Sequence, residues 1–385
     1  MTMPAALTTL ILAEAHTLEP FTVQGQQFLC RAAAFSTCWP GPVELWLPGP
    51  AMPVEAWQRR AALAAERLTV RFGPPLRFRA LARDWRAGFI YRAWIRLRLT
   101  QLAADKGKAL LYFRTLSLAD AMLPTLRRQG WRYAFEPHEV FFENARRPER
   151  LRRIEARVYG QAAHLFPITR ALDEAIRQKL APGTPSTPAP LGHNGANFAL
   201  PDYDPAAPPR FLFIGSLLLW KGLELAFAAT AGLNVPFDVV GDAGGLDRYR
   251  AYCAERSFNH VVFHGHVAPD QLAGHYHPGT ICLLPLSDSE IARSYTSPLK
   301  LFEYLAAGRP VVAGDLPSLR ELVSDGVEAR LAAVGDERAW RAALTQLLAD
   351  RQGAARLAAR ARARAQTCTW QARAEALAPI LEALA

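Results

Sequence analysis

Two stretches in the second half of this 385-residue chain place polar residues where a helix begins. In FIGSLLLWKGLELAFAA (213–229) an apolar run ends at Gly215, a loop follows, and Lys221-Gly222 opens a helical pattern. Helix N-termini expose free N–H groups and the positive end of the helix dipole, which suits a phosphate, and Lys221 would add a full charge there. An ordinary strand–loop–helix with an exposed lysine fits the same residues, because one lysine at a helix start decides little. In SYTSPLKLFEYLAAGRPVVAG (294–314) Ser297 is expected as the N-cap, Pro298 as the first helical residue and Gly308 as the close of the helix. Thr296, Ser297 and the first free amides offer a second phosphate position. Glu303 lies one and a half turns in, where a carboxylate can take two ribose hydroxyls. Lys300, three residues earlier, can pair with it, which would make the two a solvated ion pair. Against that, Leu299, Leu301, Phe302, Tyr304 and Leu305 nearly encircle the helix, so the carboxylate would be partly buried and in need of a partner.

Short apolar runs alternating with helical patterns must position these residues. Strands are expected at 8–15, 43–48, 76–81, 109–115, 131–137 and 163–169, then at 210–216, 237–242, 260–265, 280–286, 310–315 and 329–334. Such alternation argues parallel sheets with helices on both faces, and twelve strands divide more naturally into two sheets than one. The Pro-rich stretch NFALPDYDPAAPPR (197–210) reads as the break, and APGTPSTPAP (181–190) as a surface loop before it. Expected domains are therefore 1–200, 201–360 and a terminal helix, 361–385, packing back toward the first domain. Ligands of such sheets bind beyond the carboxyl ends of the strands, and two tandem domains of this kind leave a cleft.

Composition narrows the classes. Half of the residues are hydrophobic and 21% are charged, as in a globular protein. No apolar run reaches the length of a membrane span, and the N-terminus lacks the basic region of a signal peptide. Five scattered cysteines without a C-x-x-C pair argue a reducing cytoplasm and no zinc site. The net charge of +10 is uneven: residues 1–200 hold 27 Lys+Arg against 15 Asp+Glu, a balance of +12, whereas the rest is near neutral. Only the first half is thus suited to an anionic partner. Its segment RDWRAGFIYRAWIRLRL (83–99) interleaves arginines with Trp85, Phe89, Tyr91 and Trp94. It reads either as a helix resting on an anionic membrane surface or as one whose Phe89, Ile90, Trp94 and Ile95 pack on their own sheet. Nucleic acid is not expected, since no recognisable module accompanies the charge.

Taken together, G-S-x4-K-G and Y-T-S-P-L-K-L-F-E-Y-L-A-A-G-R-P-V-V-A resemble the nucleotide-sugar half of GT-B glycosyltransferases, family four (glycosyl transferases group 1). VVGDAGG (239–245), VVFHGHV (261–267), LLPL (283–286), DLPSLRELVSDG (315–326) and a late TW follow in the family's order. The first half is similar more loosely, through LLYFRT (110–115), AFEPHE (134–139) and PLGHNGANF (190–198). The resemblance implies an α/β GT-B fold of two Rossmann-like parallel-sheet domains with a cleft between them. It also implies retaining transfer of a sugar from a UDP or GDP sugar to a saccharide or lipid-linked acceptor, in surface polysaccharide or glycolipid biosynthesis. No metal or cofactor is expected, and the setting would be the cytoplasm or the inner membrane face. It assigns catalysis to His138, Glu139 and Lys221. Nucleotide-sugar contact falls to Gly25, Gly215, Ser216, Lys221, His266, Tyr295, Thr296, Ser297, Pro298, Leu299 and Glu303. Departures are Ser216 where the family usually has Arg, and Tyr295 where it commonly has a first Glu, with Glu290 out of register. These leave two alternatives: a catalytically silent binding or scaffold protein, and a nucleotide-sugar epimerase. Asp202-Tyr203-Asp204 matches a metal-binding D-x-D pattern but lies in the Pro-rich break. GDAGG is not a dinucleotide fingerprint.

Overall fold

Apolar runs of two to five residues form strands β1 (Thr9–Ala13), β2 (Val43–Leu47), β3 (Leu68–Phe72), β4 (Ala109–Phe113), β5 (Tyr133–Phe135) and β6 (His164–Leu165). In the computed structural model, which describes residues 8–15, 23–49, 53, 56, 67–74, 85–104, 108–145, 147–193, 200–268 and 271–385, these pair in parallel in the order β3-β2-β1-β4-β5-β6. The second set is β7 (Arg210–Ile214), β8 (Phe237–Val240), β9 (Val261–Gly265), β10 (Thr280–Leu284), β11 (Val311–Gly314) and β12 (Arg330–Ala332). These also pair in parallel, in the order β12-β11-β10-β7-β8-β9. The two-sheet α/β architecture expected from the sequence is therefore present. The central strands β1, β4, β7 and β10 are buried except at the first residue of β1, β4 and β7, as in sheets covered by helices on both faces.

The chain divides into two compact units, one holding 1–168, 172–190 and 370–385, the other 169–171 and 191–369. In the second unit Phe211, Phe213, Phe227, Phe237, Tyr249 and Trp340 anchor a continuous core. The strand order reverses direction between β1 and β4 in the first sheet and between β7 and β10 in the second. These are the switch points at which sheets of this type open a crevice.

The expected strand at 76–81 lies outside the described residues. The outer strand that the structure shows is LTVRF, with only Leu68 buried, as suits an edge. The arginine-rich segment forms helix α2 (Trp85–Ala104), following α1 (Val23–Cys38). Its inner face is Tyr91, Ile95 and Leu99, which are buried at i, i+4, i+8 spacing, and Trp94 packs on Trp46 at 5.5 Å. Phe89 and Ile90, expected on the inner face with Trp94 and Ile95, point outward and are 58% and 53% exposed. Helical periodicity carries them off the stripe that Tyr91 begins.

Candidate functional site

At the switch of the second sheet, β7 ends at Ile214 and β10 at Leu284, on adjacent strands. The chain leaving β7 passes Gly215 and Ser216, makes a short turn at Leu219–Lys221, and enters helix α6 (Leu223–Thr230) through Gly222. Gly222 has φ +67°, and a Cβ there would lie 1.9 Å from the Pro285 carbonyl oxygen. The Ser287 amide donates to the Trp220 carbonyl at 2.9 Å, which ties the Lys221 loop to the loop after β10. Gly241, just past β8, backs onto the Gly215 carbonyl as closely, and the Leu217 amide donates to Asp242 O at 2.6 Å. Gly241 and Gly245 of GDAGG therefore buttress the loop that leads to Lys221, at the Gly215 and Leu217 carbonyls. Lys221 Nζ lies 3.8 Å from the centroid of the Trp220 ring. Burial and then the neighbouring Lys300 push its pKa down to about 8.

Between β10 and β11 the chain forms α8 (Glu290–Ser294), capped by Ser289, and then α9 (Leu299–Ala306). Numbering α1 and α2 onward, the helices between are α3 (Leu116–Gln129), α4 (Pro148–Gln161), α5 (Arg170–Lys179) and α7 (Leu246–Glu255). Ser297 is not the N-cap of α9. Pro298 occupies that position in an extended conformation, and the Ser297 hydroxyl instead accepts the Leu191 amide at 2.9 Å. The helix thus starts one residue later than expected. Thr296 donates its hydroxyl to Ile291 O at 2.6 Å, and Tyr295, Thr296, Ser297 and Pro298 are all buried, with Leu299 half-buried. Glu303 and Lys300 form the ion pair that their spacing allowed, both half-buried. Tyr304, the next residue, accepts the Ile214 amide at 2.8 Å, so α9 is fastened to the end of β7. Gly308 follows the helix at φ +60°, as its expected closing role requires. Behind it, the buried Arg309 donates to five carbonyls, those of Pro201, Tyr276, His277, Ala307 and Gly308. His266 follows β9, the edge strand two removed from β7, and is exposed. Asp202 of the D-x-D pattern pairs with Arg362 at 2.6 Å, and Asp204 accepts the Ala206 amide.

At the switch of the first sheet, Glu14 follows β1, Arg114 follows β4 and Glu136 follows β5. Arg31, from α1, ion-pairs with Glu14 and donates to Glu136 at 3.0 Å. Glu136 also accepts the Tyr112 hydroxyl at 2.7 Å and faces His138 Nε2 at 2.8 Å. A fourth partner is Arg373, at 2.8 Å, from the terminal helix. Against burial, which alone would raise it, Arg373 and Arg31 hold the Glu136 carboxylate well below its usual range. Burial raises Glu14. For His138, burial and then Arg114 bring the pKa down to about 4. Glu139 is half-buried and raised by that burial. Gly25, expected to contact the nucleotide sugar, is buried in the first turn of α1.

After β11 come helices α10 (Pro317–Arg320), α11 (Glu337–Ala349), α12 (Arg351–Ala365) and α13 (Trp370–Glu382). Glu14, Arg31 and Arg373 carried no expectation from the sequence, Tyr112 and Arg114 only as part of LLYFRT, and Tyr304 only as an apolar position of its helix. Glu14 and Arg114 each stand directly after an apolar run, which was a usable signal. Arg31 and Arg373 sit inside helices and carry none.

Residues 208–350 match the family described as glycosyl transferases group 1. A curated relative, the D-inositol 3-phosphate glycosyltransferase of Xylanimonas cellulosilytica, is 32% identical over 182 residues, 45% of this chain. The match spans 42% of that relative's length. Among solved structures, sucrose-phosphate synthase from Thermosynechococcus elongatus superposes with a TM-score of 0.74 at 19% identity, covering 98% of this chain and 99% of that one. HepE of Anabaena, in complex with UDP-glucose, superposes with a TM-score of 0.72 at 16% identity, covering 97% and 99%.

Proposed function

We propose that this chain, whose residues 208–350 form a glycosyl transferases group 1 domain within a GT-B fold, is a retaining glycosyltransferase that moves a sugar from a nucleoside diphosphate to an acceptor hydroxyl. The observation that carries it is the meeting of Lys221, Lys300 and Glu303 at the starts of α6 and α9, at the switch of the second sheet. Two lysines and two helix N-termini match a diphosphate. A carboxylate beside them matches a ribose diol. The Anabaena neighbour's complex with UDP-glucose supports a nucleotide-sugar donor.

As the glycosidic bond loosens, negative charge grows on the leaving diphosphate. Lys221 and the amides at the start of α9 stabilise it without reorganising, which lowers the barrier. Glu303 leaves Lys300 for the ribose and fixes the donor's orientation. In the first unit, His138 meets a sugar hydroxyl, and Glu139 lies beside it. The acceptor is a saccharide or a lipid-linked sugar of surface polysaccharide or glycolipid assembly. The outward face of α2 serves peripheral contact with an anionic membrane: Phe89, Ile90 and Leu97 are 58%, 53% and 57% exposed there, with Arg98 alongside.

The test is incubation with UDP-glucose, other UDP sugars and GDP sugars, with and without saccharide acceptors, followed by NMR of the product. Acceptor-dependent release of the nucleotide with retained anomeric configuration is expected. Conversion of the donor sugar without any acceptor would make the chain an epimerase, and binding without turnover would make it a silent relative.

A further inference from the structure

At the switch of the first sheet Glu136 is ringed by donors. Its Oε1 takes Arg31 Nη1 at 3.0 Å and faces His138 Nε2 at 2.8 Å, and its Oε2 takes Tyr112 Oη at 2.7 Å and Arg373 Nη2 at 2.8 Å. Guanidinium groups donate and never accept, so two of them fix Glu136 as the anion. A hydrogen lying between an anionic carboxylate and an imidazole belongs to the imidazole. His138 Nε2 therefore carries it. Whether Nδ1 carries a second is decided by the surroundings: Arg114 stands at the end of the next strand, Arg31 is bonded to the same carboxylate oxygen, and Glu14 is already committed to Arg31. Burial, Arg114 and Arg31 oppose a further positive charge on the ring and together outweigh Glu136, which favours it. The side chain is 18% exposed, so an edge of it reaches solvent while Nε2 faces inward.

We propose that Glu136, held by Arg31, Arg373 and Tyr112, fixes His138 as the neutral Nε2–H tautomer, so that its Nδ1 accepts a hydrogen bond from a sugar hydroxyl. Resting on the placement of His138 beside a sugar given above, this assigns the histidine the acceptor's part and makes the hydroxyl the donor. A sugar lacking that hydroxyl, or carrying an ether there, loses the contact. Arg373 becomes a positioning residue. It acts on His138 through Glu136, and it is the contribution of α13, a helix far along the chain, to this group.

The experiment is a long-range proton–nitrogen correlation spectrum of the full chain with 15N-labelled histidine, His138 being assigned by the signal that disappears in His138→Gln. The expected result is hydrogen on Nε2 and a bare Nδ1 at pH 7, unchanged down to pH 5. Hydrogen on Nδ1 instead, or on both nitrogens at pH 7, would overturn the assignment. In folded Arg373→Met the His138 titration is expected to move to higher pH, because Glu136 loses one of its two balancing cations. An unmoved titration would leave Arg373 a packing residue only; should that variant not fold, the spectrum of the unaltered chain still decides the tautomer. The ring is read directly, without turnover. A chain that transferred no sugar would still show the tautomer, and a wrong tautomer would leave the proposed transfer standing.

Discussion

Lys221 carries a cost that only an anion removes. Burial and Lys300 bring its pKa down to about 8, so near neutral pH the ammonium is held in a setting that disfavours it. A bound diphosphate favours the ammonium over the amine and raises that pKa. Nucleotide binding is therefore expected to take up a proton above about pH 8, and affinity to fall as pH rises through that value while staying level below it. Calorimetry at pH 8.5 in buffers of different ionisation enthalpy reads the uptake directly; no uptake would remove Lys221 from the phosphates. At this scale the sequence was partly legible. Lys221 and the Lys300–Glu303 pair could be named from spacing, because helix starts and i, i+3 neighbours are local properties. The role of Ser297 could not, since its partner is the Leu191 amide, 106 positions away. The Glu136 cluster was hidden for the same reason, with partners drawn from positions 31, 112 and 373.

Elements hold these residues through close backbone approaches. Gly222 combines a left-handed φ of +67° with a Cβ position 1.9 Å from the Pro285 carbonyl, whereas Gly232, at φ +76°, has open space around it. Gly232→Ala should cost only the backbone strain, about 1–3 kcal/mol, and leave nucleotide affinity unchanged. Gly222→Ala should cost more and also displace the Lys221 loop. Thermal unfolding is expected to show the larger loss of Tm for Gly222→Ala, and nucleotide titration to show weakened binding for that variant alone; equal affinities would mean the loop is not shaped by this contact. Strand positions in the second unit were readable because each apolar run is short and bounded by Gly or Pro. The start of α9 falls one residue later than its sequence suggests because the Ser297 hydroxyl, a natural N-cap, is taken by the distant Leu191 amide. The outer face of α2 was misjudged because arginines and apolar residues share both of its sides, so the buried stripe had no sequence contrast to mark it.

For the molecule as a whole, the two sheets were expected and found, since alternating strands and helices leave few other arrangements. What composition added was the charge: the first 200 residues carry a balance of +12 and the remainder is near neutral. No helix among the described residues is long and apolar enough to cross a membrane. The membrane contact proposed for the outward face of α2 makes its own prediction. Sedimentation with vesicles containing anionic phospholipid is expected to retain the chain at low salt and release it at high salt, and Phe89→Asp with Leu97→Asp should abolish the retention. Equal binding to neutral vesicles would contradict that contact. Under the proposed function the second unit holds a nucleotide sugar through Lys221 and Glu303. This is tested most directly by calorimetric titration of the chain and of Glu303→Ala against UDP, GDP and ADP sugars. Saturable binding of at least one donor is expected, weakened about a hundredfold by Glu303→Ala, the worth of losing charge-assisted bonds to a ribose diol, ~3 kcal/mol. Binding of none of them, or equal affinity in the variant, would contradict it.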